Sequence, residues 1–277
     1  MKQILVPCDF SKEAIEAYKF SLDIAKLADL NVLVLYTIDL PVFTTGFDVV
    51  PYTFDVSLQN DLKDHAIKSF KNMTEKNGGS SRVKFEVTFD SLVGAVEKLA
   101  GGGNIELIVM GTKGTSGMEE VLFGSNTEKI VRFSPVPVFA IRTAPRLESI
   151  RKIIFPNKLT LDQKELVKRV VDLQKFLNAQ LHLLWVNTPG HFVADSEIHS
   201  LMREFVKHYS LSNYELVIKN DLNEETGIVK YSNEIDAEII AMGTSSRRGL
   251  AHFFQGSIAE DVVNHINCPI WTFSTRK

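Results

Sequence analysis

The sequence predicts an α/β protein of two tandem domains, each a doubly wound five-stranded parallel sheet. Three observations carry this reading. Short apolar runs alternate with helix-length segments along all 277 residues, the pattern of parallel strands joined by right-handed crossovers. The runs are continuous rather than alternating, as in Leu107-Ile108-Val109-Met110 and Ile239-Ile240-Ala241-Met242, which suits strands covered by helices on both faces. The two halves also repeat. Lys2-Gln3-Ile4-Leu5-Val6-Pro7 matches Arg151-Lys152-Ile153-Ile154-Phe155-Pro156 at an offset of 156 − 7 = 149, and Gly111 matches Gly243 at 243 − 111 = 132, so one architecture built twice is expected. The first half therefore holds 149 − 132 = 17 additional residues, placed between Pro41 and Asn60, where Pro41, Gly46 and Pro51 punctuate aromatic residues.

In order, the first half is expected to form strands near 3–6, 32–38, 83–88, 106–110 and 136–141. Helices near 12–29, 56–77, 92–100 and 126–133 separate them. The second half repeats the strands near 152–155, 180–186, 214–218, 238–242 and 270–273. Ser11 before Lys12-Glu13-Ala14 is placed to cap the first helix. Ser125-Asn126-Thr127-Glu128 and Ser257-Ile258-Ala259-Glu260 both fit a capping box. Arg142 to Arg146 reads as the linker, giving domains over 1–145 and 149–277.

The bulk composition excludes several function classes. A hydrophobic share of 44% and a charged share of 23% are those of a soluble globular chain. The net charge of −3 provides no broad attraction to nucleic acid or to an anionic membrane. No apolar run approaches the roughly 20 residues that cross a bilayer. The first strand begins at the N-terminus, so no leader is expected, and Cys8 and Cys268 lack metal-ligand spacing. A reduced cytoplasmic protein is expected.

One glycine pattern occurs twice. Gly111-Thr112-Lys113-Gly114 is followed after nine residues by Gly124-Ser125; Gly243-Thr244-Ser245-Ser246 is followed after nine by Gly256-Ser257. A glycine turn after a buried strand, leading to a second glycine at a helix start, can bare main-chain N–H groups to a phosphate. An open doubly wound sheet binds ligands beyond its strand carboxyl ends, where strand order reverses. In the first half two loops meet that description: Pro7-Cys8-Asp9-Phe10-Ser11 and the glycine loop. Asp9 is placed to accept from ribose hydroxyls or to help hold a phosphate-bound Mg²⁺. The second copy has Ser246 at the middle glycine and Lys158 at the place of Asp9, both of which oppose ordinary nucleotide binding. Arg247 and Arg248 leave a weaker anion site there, with Gly243, Ser246, Arg247, Gly256 and Ser257 as its candidates.

Other constellations read as structural. His182, His191, His199 and His208 show no tight His-x3-His spacing and are expected to be solvated or at the core edge. Cys8 precedes Asp9, whose charge would raise a thiol pKa, so a small apolar role is favoured. Gly101-Gly102-Gly103 precedes a strand instead of following one, so the dinucleotide geometry is lacking. The insert with Phe43, Phe47, Tyr52 and Phe54 reads either as a flap over the crevice or as packing between the halves.

Taken together, these residues resemble the universal stress protein family in tandem form. Gly111, Gly114, Gly124 and Ser125 match its Gly-x2-Gly-x9-Gly-(Ser/Thr) signature in full, and Ile4-Leu5-Val6-Pro7-Cys8-Asp9 resembles its first strand. Pro135-Val136-Pro137-Val138-Phe139 and Cys268-Pro269-Ile270-Trp271 resemble its closing strand. The resemblance implies an adenine nucleotide alpha hydrolase-like fold, and ATP, ADP or AMP, with Mg²⁺, held in the first half. It implies that Pro7, Cys8, Asp9 and Thr37 meet base and ribose, that Gly111, Gly114, Gly124, Ser125 and Asn126 hold ribose and phosphates, and that Met110 belongs to the same nucleotide site. Thr115 stands where many members carry Arg, with Lys113 as partial compensation. The resemblance also implies that the halves pair through their last strands as an internal pseudo-dimer, with a further homodimer open. A stress-response or signalling factor with little catalysis is expected; a slow ATPase or autokinase and a ligand-free scaffold are the alternatives.

Overall fold

The computed structural model describes residues 2–39, 44–45, 48–49, 56–112, 124–244 and 268–274. The first half runs β1 (Gln3–Pro7), α1 (Lys12–Ala28), β2 (Asn31–Thr37), β3 (Thr44–Thr45), β4 (Asp48–Val49), α2 (Val56–Asn77), β5 (Val83–Thr88), α3 (Leu92–Gly101), β6 (Ile105–Gly111), α4 (Ser125–Phe133) and β7 (Val138–Ile141). The second runs β8 (Lys152–Pro156), α5 (Lys164–Leu177), β9 (Gln180–Asn187), α6 (Asp195–Tyr209), β10 (Tyr214–Asn220), α7 (Glu224–Glu234), β11 (Ile239–Gly243) and β12 (Ile270–Phe273). A 3₁₀ turn, Leu147–Ser149, lies between them. The helix expected after the second glycine loop, and most of the aromatic insert, lie outside the described residues.

Local chemistry explains the element ends. Ala14 donates its N–H to Ser11 Oγ at 3.3 Å, so Ser11 caps α1 as expected. Ser91 and Asn223 cap α3 and α7 in the same way. Asp29, Asn178 and Ser210 end α1, α5 and α6 in the left-handed conformation.

The strands form one ten-stranded sheet, ordered β10-β9-β8-β11-β12-β7-β6-β1-β2-β5, with β3 and β4 paired separately. Within the ten-stranded sheet every pairing inside a half is parallel, and the junction of β12 with β7 is antiparallel, with Trp271 opposite Phe139; the separate β3–β4 pair is antiparallel too. This seam covers two edges that each half would otherwise expose. Side chains alternate between two cores. One, carrying Ile4, Val6, Phe20, Phe139, Phe155, Leu166 and Phe205, lies under α1, α2, α5 and α6. The other, carrying Leu5, Ile108, Ile130, Ile154 and Ile240, lies under α3, α4 and α7. Each is continuous across the seam.

Two expectations are corrected. The outer strand β5, VKFEVT, alternates in burial, because a sheet-edge strand keeps one side in contact with water. His182 is neither solvated nor at the core edge. It is 4% exposed, on β9, and its Nδ1 lies 2.7 Å from the Tyr231 hydroxyl of α7. His191, His199 and His208 are exposed. Burial pushes the His182 pKa below its ordinary value; Glu215 and Glu238 oppose this and Lys152 adds to it. Its Nε2 is buried with no hydrogen-bond partner, so a proton there would be poorly solvated.

An acid-sensitive stability follows. The folded state binds this proton less readily than the unfolded chain, so the contribution is complete above the ordinary value of 6.5 and is lost as pH falls through it. The slope this one group adds reaches at most about 1.4 kcal/mol per pH unit. Denaturant titrations between neutral and mildly acid pH should show it, and His182→Phe should flatten that slope.

Candidate functional site

Chain reversal at β1 creates the crevice. From β1 the chain passes through α1 to β2 and then β5, before α3 carries it back to β6 on the other side of β1. α1 and α3 lie against opposite cores. The carboxyl ends of β1 and β6 therefore flank a topological switch point, the position where such sheets bind ligands. Pro7 ends β1, Thr37 ends β2, and Met110 and Gly111 end β6. The structure thus brings the predicted residues of three loops to one rim.

Their side chains are not equally available. Cys8 is 4% exposed, and its Sγ lies 3.8 Å from Met73 Sδ of α2. Burial pushes the thiol up to about 12, with the Asp9 charge acting in the same direction and a main-chain hydrogen bond at Phe10 opposing. Met110 is buried in the core under α3 and α4. Both residues offer the crevice main chain only. Asp9 Oδ1 accepts the Ser11 N–H at 3.0 Å, tying the acid to the start of α1. Phe10 makes the turn with φ 63°, and its ring stacks on Tyr36 at 5.3 Å. A left-handed non-glycine residue is uncommon and costs on the order of 1 kcal/mol or more. Leu159, the counterpart in the second half, has φ 58°. The bend is thus a property of this fold's first loop.

The glycine motif separates into two physical roles. A Cβ on Gly111 would lie 2.9 Å from both Ala14 N and Glu13 C, so the first turn of α1 needs this glycine for packing. Among the described residues, a Cβ on Gly124 would meet only Thr112 O, at 3.9 Å. No contact among the described residues explains that glycine. Gly124 is the N-cap of α4 and supplies no side-chain cap, while Ser125 is the first helical residue. This corrects the capping box expected from Ser125 to Glu128: the chain enters the helix one residue earlier. Gly124 donates its N–H to Thr112 O at 2.8 Å, and Thr127 Oγ1 donates to Gly111 O at 3.1 Å. These bonds hold the first turn of α4 on the end of β6. Among the described residues, the amides of Ser125, Asn126 and Thr127 there have no side-chain cap. Thr112 is 4% exposed, and its Oγ1 is buried without a partner. Gly114, Lys113 and Thr115 lie outside the described residues.

The second half packs the matching glycine against a side chain instead of main chain. α1 opens Lys12-Glu13-Ala14 and α5 opens Lys164-Glu165-Leu166. Leu166 Cδ2 comes within 2.6 Å of where a Cβ on Gly243 would stand, a space the alanine leaves to main chain in the first half. Lys158, at the place of Asp9, pairs with Glu224 at 3.2 Å. Asn157 binds the Leu159 N–H and both side-chain ends of Gln163. Ser246, Arg247, Gly256 and Ser257 lie outside the described residues, as do His252 and His265. Thr244 repeats the unpartnered buried hydroxyl of Thr112. Sequence reasoning passed over these threonines, although Gly-Thr after the fourth strand of each half was the available signal.

Among the described residues, no group of three His, Cys, Asp or Glu side chains converges as a metal site. Nor is any described helix long and apolar enough to cross a membrane.

Comparison with known proteins places this architecture. A putative universal stress protein of Staphylococcus saprophyticus is 32% identical over 143 residues, covering 51% of this chain and 84% of its own. A universal stress protein of Methanocaldococcus jannaschii is 28% identical over 141 residues, covering 51% and 82%. The crystal structure of a universal stress protein from Archaeoglobus fulgidus superposes with a TM-score of 0.69 at 18% identity, covering 98% of this chain and 96% of that one, which shows a shared fold across both halves. The sequence profile of the universal stress protein family matches residues 1–142 and again 149–274. The chain therefore belongs to the universal stress protein family, in tandem two-domain form.

Proposed function

We propose that the first half binds an adenine nucleotide in the crevice between β1 and β6, and that the protein acts as a nucleotide-responsive stress or signalling factor. The observation that carries this reading is the start of α4. Among the described residues its first-turn amides lack a side-chain cap, and hydrogen bonds hold them on the end of β6 beside a glycine whose missing side chain no described contact requires. Amides in that state favour an anionic group through their unsatisfied donors and the helix dipole. Gly111, Gly114, Gly124, Ser125 and Asn126 would hold ribose and phosphates. Asp9 would accept from the ribose hydroxyls, and Pro7, Cys8, Thr37 and Met110 would line the base. Mg²⁺ accompanying the phosphates would supply charge neutralisation.

Retention rather than turnover is the favoured outcome. Asp9 is the evident candidate base, and the Ser11 N–H already engages it. The second half would serve as a structural partner, since Lys158 stands at the place of Asp9 and Ser246 at the middle glycine. With Cys8 and Cys268 both free thiols, the reading places the protein in the cytoplasm.

Mass analysis of small molecules released from freshly purified, denatured protein should find an adenine nucleotide. Calorimetry of the stripped chain with MgATP should show one site per chain, lost in Gly114→Val and weakened in Asp9→Ala. No released nucleotide together with no heat would refute the proposal.

A further inference from the structure

The sheet ends on the second-half side at β10, which among the described residues pairs only with β9. The hydrogen bonds at its two ends show which main-chain groups face outward. Leu181 donates its N–H to Asn213 O, and Asp221 donates its N–H to Asn187 O, each at 3.0 Å. Odd-numbered positions therefore point their main chain at β9. Tyr214, Leu216, Ile218 and Asn220 turn their N–H and C=O groups to the open edge.

We infer that this edge is a self-complementary interface, and that two copies of the chain join by antiparallel pairing of β10 about a two-fold axis at Val217. Three features of β10 agree on that register. The axis sets Leu216 against Ile218 of the second copy and Tyr214 against its Asn220, so each outward-facing main-chain group meets another. It also sets Glu215 against Lys219 of the second copy, and the reverse, giving two opposite-charge pairs at non-hydrogen-bonded positions, where side chains approach most closely. Glu215 is 53% exposed and has only His182 as an ion-pair contact among the described residues, so it is free to meet a cation. Lys219 already holds Glu234 at 2.6 Å on α7, which fixes it near the edge.

The third feature is apolar. Tyr214, which begins the strand, and Leu222, two residues past its end, are 38% and 82% exposed. The same axis brings Tyr214 of each copy within two residues of Leu222 of the other. At the far edge, β5 could also oppose Lys84 to Glu86, but it carries no exposed large apolar side chain. An isologous contact closes as a dimer and does not grow. The inference is independent of the nucleotide reading.

Sedimentation of the full chain over a concentration series should show a reversible monomer–dimer equilibrium with no larger species. Glu215→Lys and Lys219→Glu should each weaken the dimer about tenfold or more, because two attractive pairs become repulsive. An equimolar mixture of the two variants should recover dimer, since each reversed charge then faces its opposite. Circular dichroism of each variant alone separates this effect from unfolding. A chain that stays monomeric, a dimer indifferent to both variants, a mixture that recovers nothing, or a dimer lost in Lys84→Glu would each overturn the inference.

Discussion

Valine at Gly111 is expected to destabilise the fold by about 3 kcal/mol, whereas valine at Gly124 should cost about 1 kcal/mol and abolish nucleotide binding. The two glycines belong to one motif but meet different surroundings. At Gly111 the new Cβ would press on the main chain of Glu13 and Ala14 at 2.9 Å, atoms that no rotamer change can move. Overpacking against main chain must shift α1, and α1 packs on β1, β2, β6 and β7. At Gly124 the nearest atom of the described residues beyond its chain neighbours is 3.9 Å away and φ is −62°, a conformation any residue adopts. The valine would instead project where a phosphate is proposed to approach the α4 amides. Denaturant titration and MgATP calorimetry on both variants check this. Equal loss of stability at the two positions would refute the separation of roles.

A second large effect is expected at the seam. Phe139→Ala should cost about 3–5 kcal/mol and should lower the stability of both halves together. Phe139 is 2% exposed, meets Phe20 edge-on at 5.2 Å, and faces Trp271 across the antiparallel β7–β12 pair. The core it belongs to runs without a break from Ile4 to Phe273. A cavity there removes contacts from both sides of the junction at once. Both tryptophans of the chain, Trp185 and Trp271, lie in the second half, so their fluorescence reports on that half when the first is mutated. The fluorescence and far-ultraviolet dichroism transitions should shift together in the variant. A fluorescence transition left at its wild-type midpoint would show that the halves unfold independently.

Much of the site's frame could be read before folding was considered. Apolar runs and punctuation put Pro7 and Gly111 at strand ends with Asp9 in the loop beyond, the family resemblance adds Thr37, and β1, β2 and β6 end at Pro7, Thr37 and Gly111 on one rim. The glycine spacing named the family that the chain belongs to. The drift of the second copy was visible at Lys158 and Ser246. What remained illegible depended on neighbours distant in the chain. Ser125 read as a cap because Ser-x-x-Glu normally starts a helix, yet bonds from Gly124 to Thr112 and from Thr127 to Gly111 draw the helix start one residue earlier. His182 read as a surface or rim residue because nothing nearby shows that Tyr231, 49 positions later, covers it.

The amino-acid sequence by itself determined the repeat, the alternation of strands and helices, and the phosphate-type motif after the fourth strand. These are properties of local periodicity and of residues a few places apart, so they are present in the unfolded chain. Only the tertiary structure decided what Gly111 packs against, that Leu166 lies on Gly243, and which strand edges are left to pair. Those depend on which atoms arrive at a given point from elsewhere, and close packing gives a position its meaning only when the neighbour is in place.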